Sequence, residues 1–236
     1  KLYEVDMRLR PSGNSGPVAT RFDGFGDYQR KEAWTWEHMA LSRARIIAGD
    51  DALADRVRQT IAEVLCRPRD RTTTAEDVIA MRQRLVTKAG PGNSNPWDLK
   101  MVRGGLLDIE FIAQFLQLVH APEVPGDKLR ILHPNTCKAL SNLTRAGDLS
   151  RVDGDCLIEA SGLYRDLMAL FRIAVAGDFD PATAPRGMVN AALRISGASD
   201  LAQLEQRLLA TQAGVLEIFR KIVGDTAETG PKAEPC

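Results

Sequence analysis

Four charged residues alternate through the opening segment, Glu4, Asp6, Arg8 and Arg10, interleaved with Val5, Met7 and Leu9 and preceded by Tyr3. On an extended strand successive side chains point to opposite faces. The spacing therefore predicts a strand with two carboxylates and two guanidinium groups on one side and Tyr3, Val5, Met7 and Leu9 on the other. A carboxylate in that company can hold a hard cation while the guanidinium groups face phosphate oxygens. The same four residues can equally pair with one another on a solvated face, and spacing alone does not separate the two readings. Pro11, Ser12, Gly13, Asn14, Ser15 and Gly16 then supply turn chemistry, so the strand must end near Arg10.

A second cluster comprises Trp34, Trp36, Glu37, His38, Arg43 and Arg45. Trp34 and His38 are i,i+4 neighbours, and the pattern predicts core tryptophans with His38 hydrogen-bonded beside them. Arg43 and Arg45 end the expected helix, where cations complement the macrodipole, yet they could also reach a triphosphate. Further on, Asp108 and Glu110 lie in the first turns of a helix whose N-terminus favours acids. Being two residues apart they diverge by about 200° around the axis and cannot both ligate one ion. Gly104-Gly105 allows either an approach of backbone amides to an anion or a tight turn. His120 and His133 read as structural, and no Ser/His/Asp or Cys/His nucleophile arrangement is visible.

The elements that must position these groups are mostly helices. Thr20 to Asp23 has capping-box spacing, predicting a helix start at Arg21. Helical spacing runs from Glu32 to Arg45, with a stop at Gly49 before Asp50 caps a helix reaching about Cys66. Thr74 to Asp77 reads as a second box, opening a helix that ends near Ala89. Gly90 to Pro96 cannot continue a helix and marks the clearest internal boundary. Leu107, Phe111, Phe115 and Leu118 predict a helix over Leu106 to His120 with a broad core face. Further helices are expected at Asn135 to Arg145, Ser150 to Ala176, Arg186 to Ile195 and Ser199 to Val223, with Gly147, Gly177 and Gly224 as stops. The last dozen residues, Asp225 to Cys236, lack a hydrophobic pattern, and a disordered tail is expected there.

Composition narrows the function. A 236-residue chain with 44% hydrophobic residues can bury a core. Its 31 basic residues balance 31 acidic ones, so it lacks the electrostatic footprint of a nucleic-acid or anionic-membrane binder. The four cysteines form no Cys-x-x-Cys pair, and a reducing cytoplasm fits best. No apolar run reaches the ~18 residues that a membrane span needs.

Taken in order, Tyr3-Glu4-Val5-Asp6-x-Arg8-Leu9-Arg10-Pro11-Ser12-Gly13, Ala33-Trp34-Thr35-Trp36-Glu37-His38-x-Ala40-Leu41, Arg43-Ala44-Arg45 with Gly49-Asp50, and Asp98-Leu99-Lys100 with Gly104-Gly105-x-x-Asp108-Ile109-Glu110-Phe111 resemble the bacterial glutamine synthetase adenylyltransferases. The resemblance extends to about Val223. Ser12 and the Trp-Thr-Trp-Glu-His run resemble the C-terminal, adenylylating half of that bifunctional adenylyltransferase/deadenylylase.

The resemblance implies a mainly α chain: a remnant of a polymerase-β-like nucleotidyltransferase α/β domain in 1–95, a helical bundle in 96–224 and a tail in 225–236. It implies transfer of AMP from ATP to a tyrosine hydroxyl of glutamine synthetase, with Mg²⁺ as cofactor. Asp6 matches the third of three metal-holding carboxylates, and Arg8, Arg10 and Arg43 are candidates for the ATP phosphates. The first two carboxylates belong to a Gly-Ser-x-x-Asp-x-Asp motif that the chain does not contain. Alone, the chain is therefore expected to be an inactive part of a cytoplasmic enzyme. In the alternative reading the helices after Asp98 are a docking module for glutamine synthetase or for nitrogen-signalling proteins. A nucleic-acid nucleotidyltransferase fits poorly with zero net charge.

Overall fold

Several helix starts in this chain follow the polar side chains that cap them. The computed structural model describes residues 6–7, 9–89, 95–121, 131–174 and 179–225, and nine helices lie among them. Asp50 accepts from the Leu53 amide and opens α3 (Asp51–Leu65), as its position before the apolar pattern predicts. Asn135 does the same for α6 (Thr136–Ala146) through the Lys138 amide, and Asp200 for α9 (Leu201–Ile222) through the Gln203 amide. α4 (Arg71–Ala89) begins three residues before the Thr74 box, because Asp70 takes the Thr73 amide at 2.7 Å and the Thr74 hydroxyl turns back to the Asp70 carbonyl at 2.7 Å. α1 (Phe22–Lys31) starts where expected but has no side-chain cap at Arg21, so the Thr20 box does not form.

Two expectations need correction. The helix expected over Glu32 to Arg45 is only α2 (Thr35–Leu41). Glu32 and Ala33 both give their amides to the Tyr28 carbonyl, which closes α1 and bends the chain before α2 begins. Among the described residues there is also no strand: Asp6 and Met7 have no regular structure, and Leu9 and Arg10 already lie in a turn. A strand requires a ladder partner, and none of the described segments supplies one. Residues 1–5 and 8 of the expected strand, Gly177 and the tail beyond Asp225 lie outside the described residues.

α5 (Leu106–His120) has the predicted bounds and is the axis of the fold, packing against α2, α4, α6, α7 (Arg151–Ala174) and α9. All of its residues except Glu110 and His120 are buried. A helix apolar on every side must be covered on every side, and the core accordingly runs without a break from Met39 on α2 to Val223. α8 (Arg186–Ser196) closes the far end against α7, where Phe171 stacks on Phe179 at 4.0 Å between ring centroids and Trp97 meets Phe179 at 4.9 Å. The chain is therefore mainly α.

Candidate functional site

The turn after Asp6 is tied by one arginine. Arg10 donates from Nη1 to the Met7 carbonyl at 2.8 Å and from Nε to the Gly16 carbonyl at 3.3 Å, closing the Pro11 to Gly16 loop on itself. Ser12 sits at φ 57, in the left-handed region that non-glycine residues rarely adopt. Asp6 is exposed. Arg8 lies outside the described residues. Among the described residues no group of three His, Cys, Asp or Glu side chains is placed to hold a metal ion.

Tyr28, which sequence reasoning did not single out, joins this loop to the tryptophan motif. Its hydroxyl donates to Glu37 Oε1 at 2.7 Å, and the other Glu37 oxygen accepts the Trp34 amide at 2.9 Å. Burial and then the Glu37 hydrogen bond raise the Tyr28 pKa, while a backbone hydrogen bond from Ser12 opposes them. Glu37 is thus a buried bracket with both oxygens engaged. His38 works beside it, with Nε2 3.0 Å from the Gln29 carbonyl and Nδ1 3.3 Å from Arg69 Nη2. Burial lowers its pKa, which favours the neutral ring: Nε2–H donates to Gln29 and Nδ1 accepts from Arg69. The core-tryptophan expectation fails for Trp34, which is 57% exposed because it precedes α2 and occupies the capping position. Trp36 is half-buried.

Arg43 leaves the turn after α2 and pairs with Glu110 of α5 at 2.8 Å. This contact sits on the wall of a cleft of about 700 Å³ between α1, α2, α3, α4 and α5, with Phe25, Trp36, Met39, Ile61 and Phe111 among its apolar lining and Arg45 beside Arg43. Asp108 points elsewhere, as the divergence around the helix predicts. It is fully buried against Arg82 of α4, itself fully buried, and accepts the Gly104 amide at 2.6 Å. Arg82 also donates to the Met101 and Val102 carbonyls at 2.7 and 3.1 Å.

The diglycine is therefore a turn, and its amide is given to Asp108. Gly104 has φ +78, and a Cβ there would overlap the Gln212 carbonyl of α9. Tyr164 donates to the Gly104 carbonyl at 3.0 Å, and burial pushes its phenol pKa up. Arg82 was missed by sequence reasoning, yet Val78, Arg82 and Leu85 fall at i, i+4 and i+7 on α4, and a cation within an apolar stripe signals a buried partner.

Comparison with known proteins matches residues 1–60 to the model of glutamate-ammonia ligase adenylyltransferase and residues 75–223 to that of GlnD PII-uridylyltransferase. A bifunctional glutamine synthetase adenylyltransferase/adenylyl-removing enzyme of Rhodopseudomonas palustris strain TIE-1 is 46% identical over 223 residues, covering 94% of the chain and 22% of the relative. The enzymes of the same name from Bradyrhizobium diazoefficiens and Agrobacterium fabrum are each 43% identical, covering 96% and 94% of the chain and 22% of the relative. The chain thus spans about a fifth of the length of these curated relatives.

Proposed function

Since the chain belongs to the GlnD PII-uridylyltransferase family through residues 75–223, in the form carried by glutamine synthetase adenylyltransferases, we propose that it is part of an enzyme transferring AMP from ATP to a tyrosine hydroxyl of glutamine synthetase. The observation that carries this reading is the 46% identity to such an enzyme along 94% of the chain. We read 1–95 as part of a nucleotidyltransferase domain of the polymerase-β type and 96–224 as its helical bundle. We read it as a cytoplasmic enzyme.

In the reaction the tyrosine oxygen attacks the α-phosphorus of ATP, a new phosphorus–oxygen bond forms, the bond from the α-phosphorus to the α,β-bridging oxygen breaks, and pyrophosphate leaves while the hydroxyl gives up its proton. Asp6 is the carboxylate of this chain at the reacting centre. Arg8, Arg10 and Arg43 are its phosphate contacts, Arg43 by exchanging Glu110 for an anionic oxygen. Mg²⁺ is the implied cofactor. The described residues do not make a site for it by themselves, because Asp6 is a single exposed carboxylate with no cluster of three metal-capable groups around it. This chain by itself should therefore transfer no AMP.

The test is transfer of radiolabelled AMP from ATP to glutamine synthetase, comparing this chain with a longer one carrying a Gly-Ser-x-x-Asp-x-Asp strand upstream. Transfer by the longer chain alone, abolished by Asp6→Ala, supports the reading; transfer by neither refutes it. A second reading is favoured by the match of 75–223 to a family named for PII uridylylation. In it, the helical part docks glutamine synthetase or a nitrogen-signalling protein. Capture of either by this chain, lost on substitution of exposed helix residues, would support it.

A further inference from the structure

The cleft between α1, α2, α3, α4 and α5 has features that packing alone does not explain. It holds about 700 Å³, within the range of small-molecule sites, and its walls are mostly apolar. Gln29 lines it from α1 and is 5% exposed, yet its Oε1 has no hydrogen-bond partner among the described residues. A buried acceptor left without a donor is rare, because its lost hydration is not replaced.

At the rim the charges are unequal in their commitments. Glu37 has both oxygens engaged by Tyr28 and the Trp34 amide, and Glu110 pairs with Arg43. Arg45 also lines the cleft and is exposed, and no ion pair or hydrogen bond ties it among the described residues. The cleft thus offers three things together: an apolar slot walled by Phe25, Trp36 and Phe111, a buried acceptor, and an uncommitted cation at the mouth.

We propose that this cleft binds a small amphipathic organic anion whose flat apolar body fills the slot, whose N–H or O–H donates to Gln29 Oε1 once that side chain turns its amide toward the cleft, and whose anionic head meets Arg45. Gln29 and Arg45 carry this binding, and the AMP-transfer reading gives them no role, although Arg43 lines the same cleft. Such a ligand gains from apolar burial and from satisfying the orphaned acceptor, with the head group supplying charge selectivity.

The probe is 8-anilinonaphthalene-1-sulfonate, which carries an aromatic body, an N–H and a sulfonate, set against its neutral counterpart N-phenyl-1-naphthylamine. Both are titrated into the whole chain by fluorescence, with stoichiometry from calorimetry. One site per chain is expected. Arg45→Gln should weaken the sulfonate by roughly fivefold and leave the neutral dye unchanged. Gln29→Met should weaken both by roughly tenfold while raising the melting temperature, since it removes the unpaired acceptor. Ala44→Trp, at an exposed position lining the cleft, should block both dyes.

Several sulfonate molecules per chain, or binding that none of the three variants alters, would overturn the proposal. So would equal affinity for the two dyes with no effect of Arg45→Gln. Because the readout is dye binding to this chain, its failure leaves the AMP-transfer reading untouched, and failure of AMP transfer leaves the cleft untouched.

Discussion

Replacing Asp108 with Asn should be among the most damaging conservative changes in the chain. The Asp108–Arg82 pair is fully buried on both sides, and Asp108 also takes the Gly104 amide. The isosteric amide can still accept that amide, but it leaves the Arg82 guanidinium charged, dry and held only by the Met101 and Val102 carbonyls. Breaking a buried pair by removing one partner costs about 3–5 kcal/mol. In a chain of this size that lowers the melting temperature by roughly 6–20 °C. Arg82→Met should cost a similar amount by stranding the carboxylate, so two independent losses would sum to roughly 6–10 kcal/mol. The double variant Arg82→Met/Asp108→Leu removes both charges. It strands three backbone groups at about 1–3 kcal/mol each, while two buried apolar side chains return about 1.5–3 kcal/mol apiece. Taken at the middle of these ranges it should therefore be roughly 6 kcal/mol more stable than the sum predicts. The assay is urea unfolding followed by helical circular dichroism for all four chains. A single-variant loss under about 1 kcal/mol, or additivity within about 0.5 kcal/mol, would refute the claim that the pair acts as one buried unit.

Three further outcomes are expected. Gly104→Ala should destabilise the chain severely, because its Cβ would overlap the Gln212 carbonyl at a left-handed φ, whereas Gly187→Ala, in helix α8 with open space around it, should stabilise it by about 0.5–1 kcal/mol; melting curves distinguish the two. His38, whose pKa is lowered from 6.5, contributes stability that is present above pH 6.5 and is lost as pH falls through its folded value, so the urea midpoint should decline on acidification and His38→Gln should flatten that decline. Tyr28 and Tyr164 have pKa values raised from 10.0, so their contribution is complete below pH 10 and is lost as pH rises through the folded values; the alkaline fall in the urea midpoint should shrink in the Tyr28→Phe/Tyr164→Phe chain.

The axis of the fold was legible in the sequence because its signal is local. Leu106 to His120 combines a continuous apolar pattern with a diglycine before it, and the observed helix has those bounds. Asp50 before α3 is equally local, since a cap acts within its own first turn. What escaped depends on distance along the chain. Arg82 and Asp108 are separated by 26 positions, and Tyr28 meets Glu37 only because α1 and α2 are two helices that abut, where the residues between them contain no Gly or Pro to announce the break. Trp34 misled for the same reason: a helix drawn from Glu32 turns it inward, whereas a helix beginning at Thr35 leaves it outside.

The residues that carry the family resemblance divide by burial into two kinds, and the division bears on what a motif means. Glu37, Gly104 and Asp108 lie inside, where each one's polar group is consumed by the backbone or by a neighbouring side chain. Their types are fixed by the need to satisfy buried donors and to let α5 pass close to α9. Asp6 and Arg45 lie at the surface, where no such need fixes them. A substitution at Glu37 or Asp108 that abolished activity would therefore be expected to do so through stability, with melting temperature and activity falling together. An Asp6 substitution should remove activity from a longer, competent chain with no change in melting temperature. Measured side by side, the two classes separate the scaffold from the chemistry, and an Asp6 variant that melted as early as an Asp108 variant would place Asp6 in the scaffold.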